Sequence, residues 1–146
     1  RAIFLCWYLK RKKVDMIILA CNTLSVIVLD EIKPCFKIPI IGVIELFNFA
    51  SYRNALFIGT ENTVKNLKNK YKQITFLATP KLISYIEKND IRCIQEYLKE
   101  KRNLFDSYSY ILLGCTHFIK IKHLIKNGIA QDDLFNLKML NGIGNT

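Results

Sequence analysis

The sequence of 146 residues lacks any unbroken apolar run of the ~18–20 residues that a membrane-spanning helix requires. It has 5 cysteines but no CxxC pair, which argues against both a disulfide framework and a closed zinc site. Its basic cluster at residues 11–13 follows an apolar stretch, whereas the basic segment of a signal peptide precedes one. These absences predict a soluble cytoplasmic protein with free thiols and no membrane partner.

The sequence is also poor in arginine, although it is strongly basic. Its 22 basic residues against 12 acidic ones give a formal net charge of +10, which by itself favours nucleic acid as a partner. However, lysine supplies most of this charge, and the clusters of arginine with aromatic residues that read bases are missing. Lysine, isoleucine and asparagine are abundant together, as in an A+T-biased coding sequence. We therefore expect no nucleic-acid partner, and a basic nucleic-acid-binding α/β module remains the alternative from another class.

Apolar segments alternate along the chain with helix-like segments. Residues 14–20 and 38–44 are continuous apolar runs, which is typical of parallel strands that are buried on both faces. Three further strands are predicted at 54–59, 74–78 and 109–114. Helices are predicted at 3–13, 24–32, 60–70, 80–89, 91–101 and 119–126. This alternation predicts an α/β fold with parallel strands.

Two segments of the sequence repeat one another. Residues 17–23 (IILACNT) and 111–117 (ILLGCTH) each place a small residue, a cysteine and polar residues after an apolar strand. Ligands of open α/β sheets bind at the carboxyl ends of the strands, so we expect Cys21 and Cys115 to lie in a binding site. The helix start that follows each cysteine favours a thiolate or a bound carboxylate. Two thiols on opposite sides of one small ligand could remove a proton from one face and return one to the other.

The remaining cysteines have no such context. A free cysteine is commonly a small buried apolar residue. This is our interpretation of Cys6, Cys35 and Cys93.

The two cysteine motifs, with residues 40–45 (IIGVIE) and 58–64 (IGTENTV) between them, resemble the glutamate racemases of the aspartate/glutamate racemase superfamily. The order and approximate spacing of the motifs match those of the family over about residues 1–126. The histidine after Cys-Thr, His117, resembles the residue found there in the glutamate branch. The resemblance implies two pseudo-symmetric lobes with parallel central sheets. Residues 1–46 would form the remnant of a first lobe and 47–117 the second, with 118–146 returning toward the first.

The resemblance also implies an activity and a set of site residues. The activity is cofactor-independent racemisation of L- and D-glutamate, without pyridoxal phosphate or metal, which supplies D-glutamate for peptidoglycan and so supports the cell wall and cell shape. Cys21 would serve D-glutamate and Cys115 L-glutamate, with His117 assisting Cys115 and Glu87 as an assisting acid. The substrate contacts would be Asn22, Thr23, Thr60, Thr63 and Thr116. From the residues alone, Thr60 and Thr63 fit helix caps equally well, and Glu87 fits a solvated helix end.

The sequence departs from the family in several places. It has neither the Asp-Ser-Gly loop nor the Pro-Tyr-Gly loop that precede the first cysteine in the family, and residues 135–140 resemble only a remnant of a later strand. We therefore expect a truncated fragment with an incomplete first lobe, an uncovered apolar face, and reduced or no activity.

Several alternatives stay open. One is a racemase of the same superfamily that acts on aspartate or another acid. A cysteine hydrolase that uses Cys115 with His117 is disfavoured, because residues two apart rarely direct both side chains at one ligand unless the backbone turns sharply. The oligomeric state is open, with a homodimer as one option.

Overall fold

Residues 1–134, which the computed structural model describes, form two separate sheets in which every strand pair is parallel. In the first sheet, β1 (Ile17–Leu19) pairs with β2 (Ile40–Gly42). The second sheet has the order β4-β3-β5-β6. Its strands are β3 (Ala55–Gly59), β4 (Thr75–Ala78), β5 (Tyr110–Gly114) and β6 (Gly128–Ile129). The predicted α/β fold with parallel sheets is confirmed.

Helices connect successive strands. The α-helices are α1 (Ala2–Arg11), α2 (Asn22–Ile32), α3 (Glu61–Leu67), α4 (Pro80–Glu87), α5 (Ile91–Asp106) and α6 (Gln131–Leu134). Shorter 3₁₀ helices span Lys33–Cys35, Val43–Leu46 and Phe49–Ser51, and a longer one spans Thr116–Leu124. The hydroxyl of Thr60 and the carboxylate of Asp90 accept hydrogen bonds from backbone N–H groups at the starts of α3 and α5.

The two central strands of the second sheet, β3 and β5, are buried on both faces except at Tyr110, as their continuous apolar sequences predict, whereas β4 and β6 are only partly buried. Leu56 and Ile58 of β3 pack on one side against α4 and α5, whereas Phe57 packs on the other against Phe47 and Phe49. Phe57 is 0% exposed and lies under the ends of β3 and β5. The residues just beyond these ends therefore stand on a rigid, close-packed base.

The first sheet is packed less completely. Ile17 and Leu19 enter a core that includes Cys6 and Leu29, whereas Ile18, on the opposite face, is 39% exposed. The prediction that both faces of this strand are buried is therefore wrong at Ile18. Phe4 and Leu5 of α1 are also exposed, at 75% and 64%.

The segment after β5 differs from its predicted form. The helix expected at 119–126 is instead the 3₁₀ helix that begins at Thr116, because the N–H of Phe118 bonds to the carbonyl of Cys115 at 3.0 Å and the Phe118 ring is fully buried. β6 then extends the second sheet, and α6 packs against the 3₁₀ helix Val43–Leu46. Residues 135–140 lie outside the described residues, and the boundaries at 46/47 and 117/118 stay predictions.

One further property concerns membranes. In the described part of the chain, no helix combines the length and the apolar character that crossing a bilayer demands.

We predict that Gly114→Ala destabilises the protein by about 1–3 kcal/mol through overpacking. A Cβ at this position would overlap Cζ of Phe57, whose ring is fully buried in the core. Urea unfolding of the variant beside the unsubstituted chain measures the loss.

The control for this prediction is Phe57→Leu, which removes the atoms that the new methyl group would strike. The double variant should lose less stability than the two single variants together, and additive losses would contradict the explanation.

Candidate active site

Both cysteine motifs have the same local geometry. Cys21 follows β1 in extended conformation, with φ −125° and ψ 121°, and immediately precedes α2. Cys115 follows β5 with φ −141° and ψ 134°, immediately before the 3₁₀ helix Thr116–Leu124. Cys21 is exposed, whereas Cys115 is only 8% exposed. The repeat in the sequence thus corresponds to a repeated strand–cysteine–helix junction.

The surroundings of Cys115 disfavour its thiolate form. Burial raises the pKa of the Cys115 thiol, and the backbone N–H of His117 opposes that rise. A negative charge on Cys21 or on Glu87 raises the pKa of Cys115 further. The two cysteine motifs also meet in the fold, because Thr23, two residues after Cys21, contacts Thr60, and Thr60 follows Gly59, which pairs with the Gly114 that precedes Cys115.

The imidazole of His117 bridges Cys115 and Glu87. Its Nδ1 lies 3.3 Å from Sγ of Cys115, and its Nε2 lies 3.6 Å from Oε1 of Glu87. The tight 3₁₀ turn brings this ring back over the thiol, which is the sharp backbone turn that two residues so close in sequence need in order to converge. Glu87 is exposed at the end of α4, within ion-pair distance of a protonated His117.

Three threonine hydroxyls form a closed ring between α2 and α3. The Oγ1 atoms of Thr23 and Thr60 are 2.8 Å apart, those of Thr23 and Thr63 are 3.0 Å apart, and those of Thr60 and Thr63 are 2.9 Å apart. Thr60 also accepts a hydrogen bond from the N–H of Thr63 at 3.2 Å. Thr60 therefore caps α3 and also contacts Thr23, two residues after Cys21.

A buried pair of amides lies behind Cys21. Asn22 is 2% exposed, and its Oδ1 accepts a hydrogen bond of 2.7 Å from Nε2 of Gln131, which is 5% exposed. Among residues 1–134, Nδ2 of Asn22 and Oε1 of Gln131 have no hydrogen-bond partner. The sequence analysis missed Gln131 because β6 has only 2 residues, too few for a strand pattern. The sequence signal for this residue is weak, since it consists of a polar side chain directly after Ile129 and Ala130.

The structure thus groups most of the predicted site residues. Thr23, Thr60 and Thr63 contact one another, and Cys115, His117 and Glu87 form a second connected set. Thr116 is exposed beside Cys115. The catalytic and binding roles of these residues stay predictions. Thr79, which the sequence analysis also missed, is 1% exposed after β4, with no partner for its hydroxyl in the described residues.

The other cysteines lie elsewhere. Cys6 is buried in the core beside the first sheet, which confirms its interpretation, whereas Cys35 is exposed and does not fit that interpretation. Cys93 is half-buried at the start of α5. Within residues 1–134, no three His, Cys, Asp or Glu side chains are grouped so that they could hold a metal ion.

Solved structures identify the class of fold. A glutamate racemase of Campylobacter jejuni matches 98% of this chain at a TM-score of 0.74 and 21% identity, and the match covers 68% of that chain. A glutamate racemase of Bacillus anthracis matches 96% of this chain at a TM-score of 0.79 and 21% identity, over 62% of that chain. The aspartate racemase of Picrophilus torridus matches 86% of this chain at a TM-score of 0.65 and 22% identity, over 61% of its own. The fold is therefore that of the aspartate and glutamate racemases.

No protein-family model matches the chain, but comparison with curated sequences finds glutamate racemases. A glutamate racemase of Carnobacterium sp. is 32% identical over 85% of this chain, and one of Aquifex aeolicus is 31% identical over 82%. The chain is homologous to the glutamate racemases. It spans about half the length of these curated relatives, 53% in both cases.

We predict that iodoacetamide alkylates Cys21 faster than Cys115 at pH 7. Cys21 is exposed, whereas burial raises the pKa of Cys115 and so lowers its thiolate fraction at neutral pH. The rate at Cys115 should increase as the pH rises past the ordinary range for thiols. Mass spectrometry of the modified peptides across a pH series measures both rates.

The same experiment tests the coupling of the two thiols. Cys21→Ser removes a negative charge that raises the pKa of Cys115, so the pH midpoint for Cys115 should fall. Cys35→Ser, which changes an exposed cysteine outside the site, should leave the midpoint in place. An equal midpoint in both variants would refute the coupling.

Proposed function

We propose that the two cysteines of this chain carry out the racemisation of glutamate, with Cys21 acting on D-glutamate and Cys115 on L-glutamate. The observation that carries the proposal is a pair of cysteines that each precede a helix after a parallel strand, in motifs that meet through their threonines. Thr23, two residues after Cys21, lies 2.8 Å from Thr60, and Thr60 follows Gly59, the strand partner of the Gly114 that precedes Cys115. The homology to glutamate racemases supports glutamate as the substrate.

The proposed reaction needs one thiolate and one thiol at the same time. The thiolate of Cys21 takes the α-proton of D-glutamate, which leaves a carbanion at the α-carbon and an S–H at Cys21. The S–H of Cys115 then gives a proton to the opposite face, which yields L-glutamate and a Cys115 thiolate. The reverse direction exchanges the two roles. The raised pKa of Cys115 favours its protonated form before the D-to-L step.

The neighbouring groups can assist these proton transfers. His117, with Nδ1 at 3.3 Å from the thiol, can exchange a proton with Cys115, and Glu87 stabilises the protonated imidazole. An α-proton is far less acidic than a thiol, so hydrogen-bond donors at the two helix starts have to stabilise the negative charge on the substrate. We assign this binding to Asn22, Thr116 and the threonine ring.

For the whole protein, the same proposal includes the supply of D-glutamate for peptidoglycan in the cytoplasm, without pyridoxal phosphate or a metal. For this chain alone we propose reduced activity or none. The Asp-Ser-Gly and Pro-Tyr-Gly motifs that assist the first cysteine and hold substrate in the family are missing from the sequence.

A second candidate is racemisation of another acidic amino acid. The likeness to the aspartate racemase of Picrophilus torridus, at a TM-score of 0.65, favours aspartate as the first to test. Parallel assays with glutamate and aspartate separate the two candidates.

We predict that Cys21→Ala and Cys115→Ala each lower racemisation by about 10²-fold or more, because each removes one of two required proton carriers. Cys21→Ala should still exchange the α-proton of L-glutamate in D₂O, and Cys115→Ala that of D-glutamate. Proton NMR follows this exchange even when net turnover is slow.

The matched control is Cys35→Ala, since Cys35 is exposed and lies outside the site. Racemisation that survives both site substitutions would refute the two-cysteine mechanism. DNA binding that weakens steeply with salt and survives both substitutions would instead support the basic-module alternative.

A further inference from the structure

The buried amide pair of Asn22 and Gln131 is incompletely hydrogen-bonded. A side-chain amide has two N–H donors and one carbonyl acceptor. The single bond of 2.7 Å leaves Nδ2 of Asn22 and Oε1 of Gln131 without a partner among the described residues. Exchanging the oxygen and nitrogen of both amides moves the unpaired acceptor to Asn22 and the unpaired donor group to Gln131, so either orientation leaves one buried group of each kind unpaired. Buried polar groups are normally paired, so this pair is costly for the fold alone.

The position of the pair relates it to the site. Asn22 is the first residue of α2, directly after Cys21. Gln131 is the first residue of α6, which follows β6, the neighbour of the strand that leads to Cys115. The hydrogen bond therefore connects the helix after one cysteine-bearing strand with the helix that follows the neighbour of the other cysteine-bearing strand.

The unpaired atoms match the chemistry of an amino acid. The α-carboxylate of an amino acid accepts hydrogen bonds, and its α-ammonium group donates them. An unpaired amide donor on Asn22, the residue after Cys21, and an unpaired amide acceptor on its partner Gln131 complement these two groups. Both atoms are shielded from solvent, so contact with a ligand requires a local rearrangement that exposes them.

We infer that Gln131 is a positioning residue for the binding of an α-amino acid. It holds Oδ1 of Asn22, so that Nδ2 of Asn22 is the group left to donate to the ligand carboxylate. This inference rests on the proposed function, because it places the ligand beside Cys21.

The test is Gln131→Met in the full chain, a substitution of similar length that removes the hydrogen bond. The dissociation constant for D-glutamate, measured by NMR titration, should rise about tenfold, the equivalent of one hydrogen bond of about 1.4 kcal/mol. The Nδ2 signals of Asn22 should shift on addition of D-glutamate in the unsubstituted chain. In the variant they should exchange faster with solvent before any ligand is added.

Two further variants separate positioning from simple stability. Gln73→Met is the matched control, because the amide of Gln73 bonds to the carbonyl of Phe49, away from the site. It should leave affinity and the Asn22 signals unchanged. Gln131→Glu can only accept a hydrogen bond, so it keeps a bond to Asn22 but turns Nδ2 away from the ligand. Its affinity, measured at high salt to screen the added charge, should fall at least as far as that of Gln131→Met.

The outcomes distinguish this inference from the proposed function. If the unsubstituted chain does not bind glutamate, the proposed function fails for this chain, whereas binding without measurable racemisation agrees with the reduced activity proposed above. The Asn22 signals report on positioning in either case. Unchanged Asn22 signals in Gln131→Met would overturn the inference. Unchanged affinity in Gln131→Met, or near-native affinity in Gln131→Glu, would overturn it as well while leaving the proposed function intact.

Discussion

The parallel register between β3 and β5 is the constraint on which the second half of the site depends. Gly59 lies opposite Gly114, so the residues that follow them, Thr60 and Cys115, leave the sheet side by side. The ring of Phe57 fills the space that side chains at these two glycines would need. Close packing beneath the strand ends therefore fixes the positions of Thr60 and Cys115, the first residues beyond the two strands.

The two cysteines occupy unlike environments, and this difference has chemical meaning. Cys115 is buried and in contact with an imidazole, whereas Cys21 is open to solvent. Pairs of similar groups take opposite acid and base roles when their surroundings separate their proton affinities. The asymmetry suits a reaction in which one thiol is charged while the other is not.

Much of the fold could be predicted because the central strands are continuous apolar runs between helix caps. β3, β4 and β5 lie within one residue of their predicted bounds. Ile18 and Gln131 could not be placed this way, since the exposure of one face depends on tertiary packing and a strand of 2 residues carries no period. His117 was found by resemblance, but its contact with Cys115 depends on a 3₁₀ turn that the sequence pattern does not distinguish from an α-helix.

The threonine ring uses all of its hydroxyl hydrogens in internal hydrogen bonds. Thr23, Thr60 and Thr63 bring one hydroxyl hydrogen each, and their three mutual contacts use every one of those hydrogens. In this arrangement no hydroxyl hydrogen of the ring is free to donate to an incoming anion. The ring can bind an anion only if hydroxyl groups rotate, so that they break hydrogen bonds to one another and donate to the anion instead.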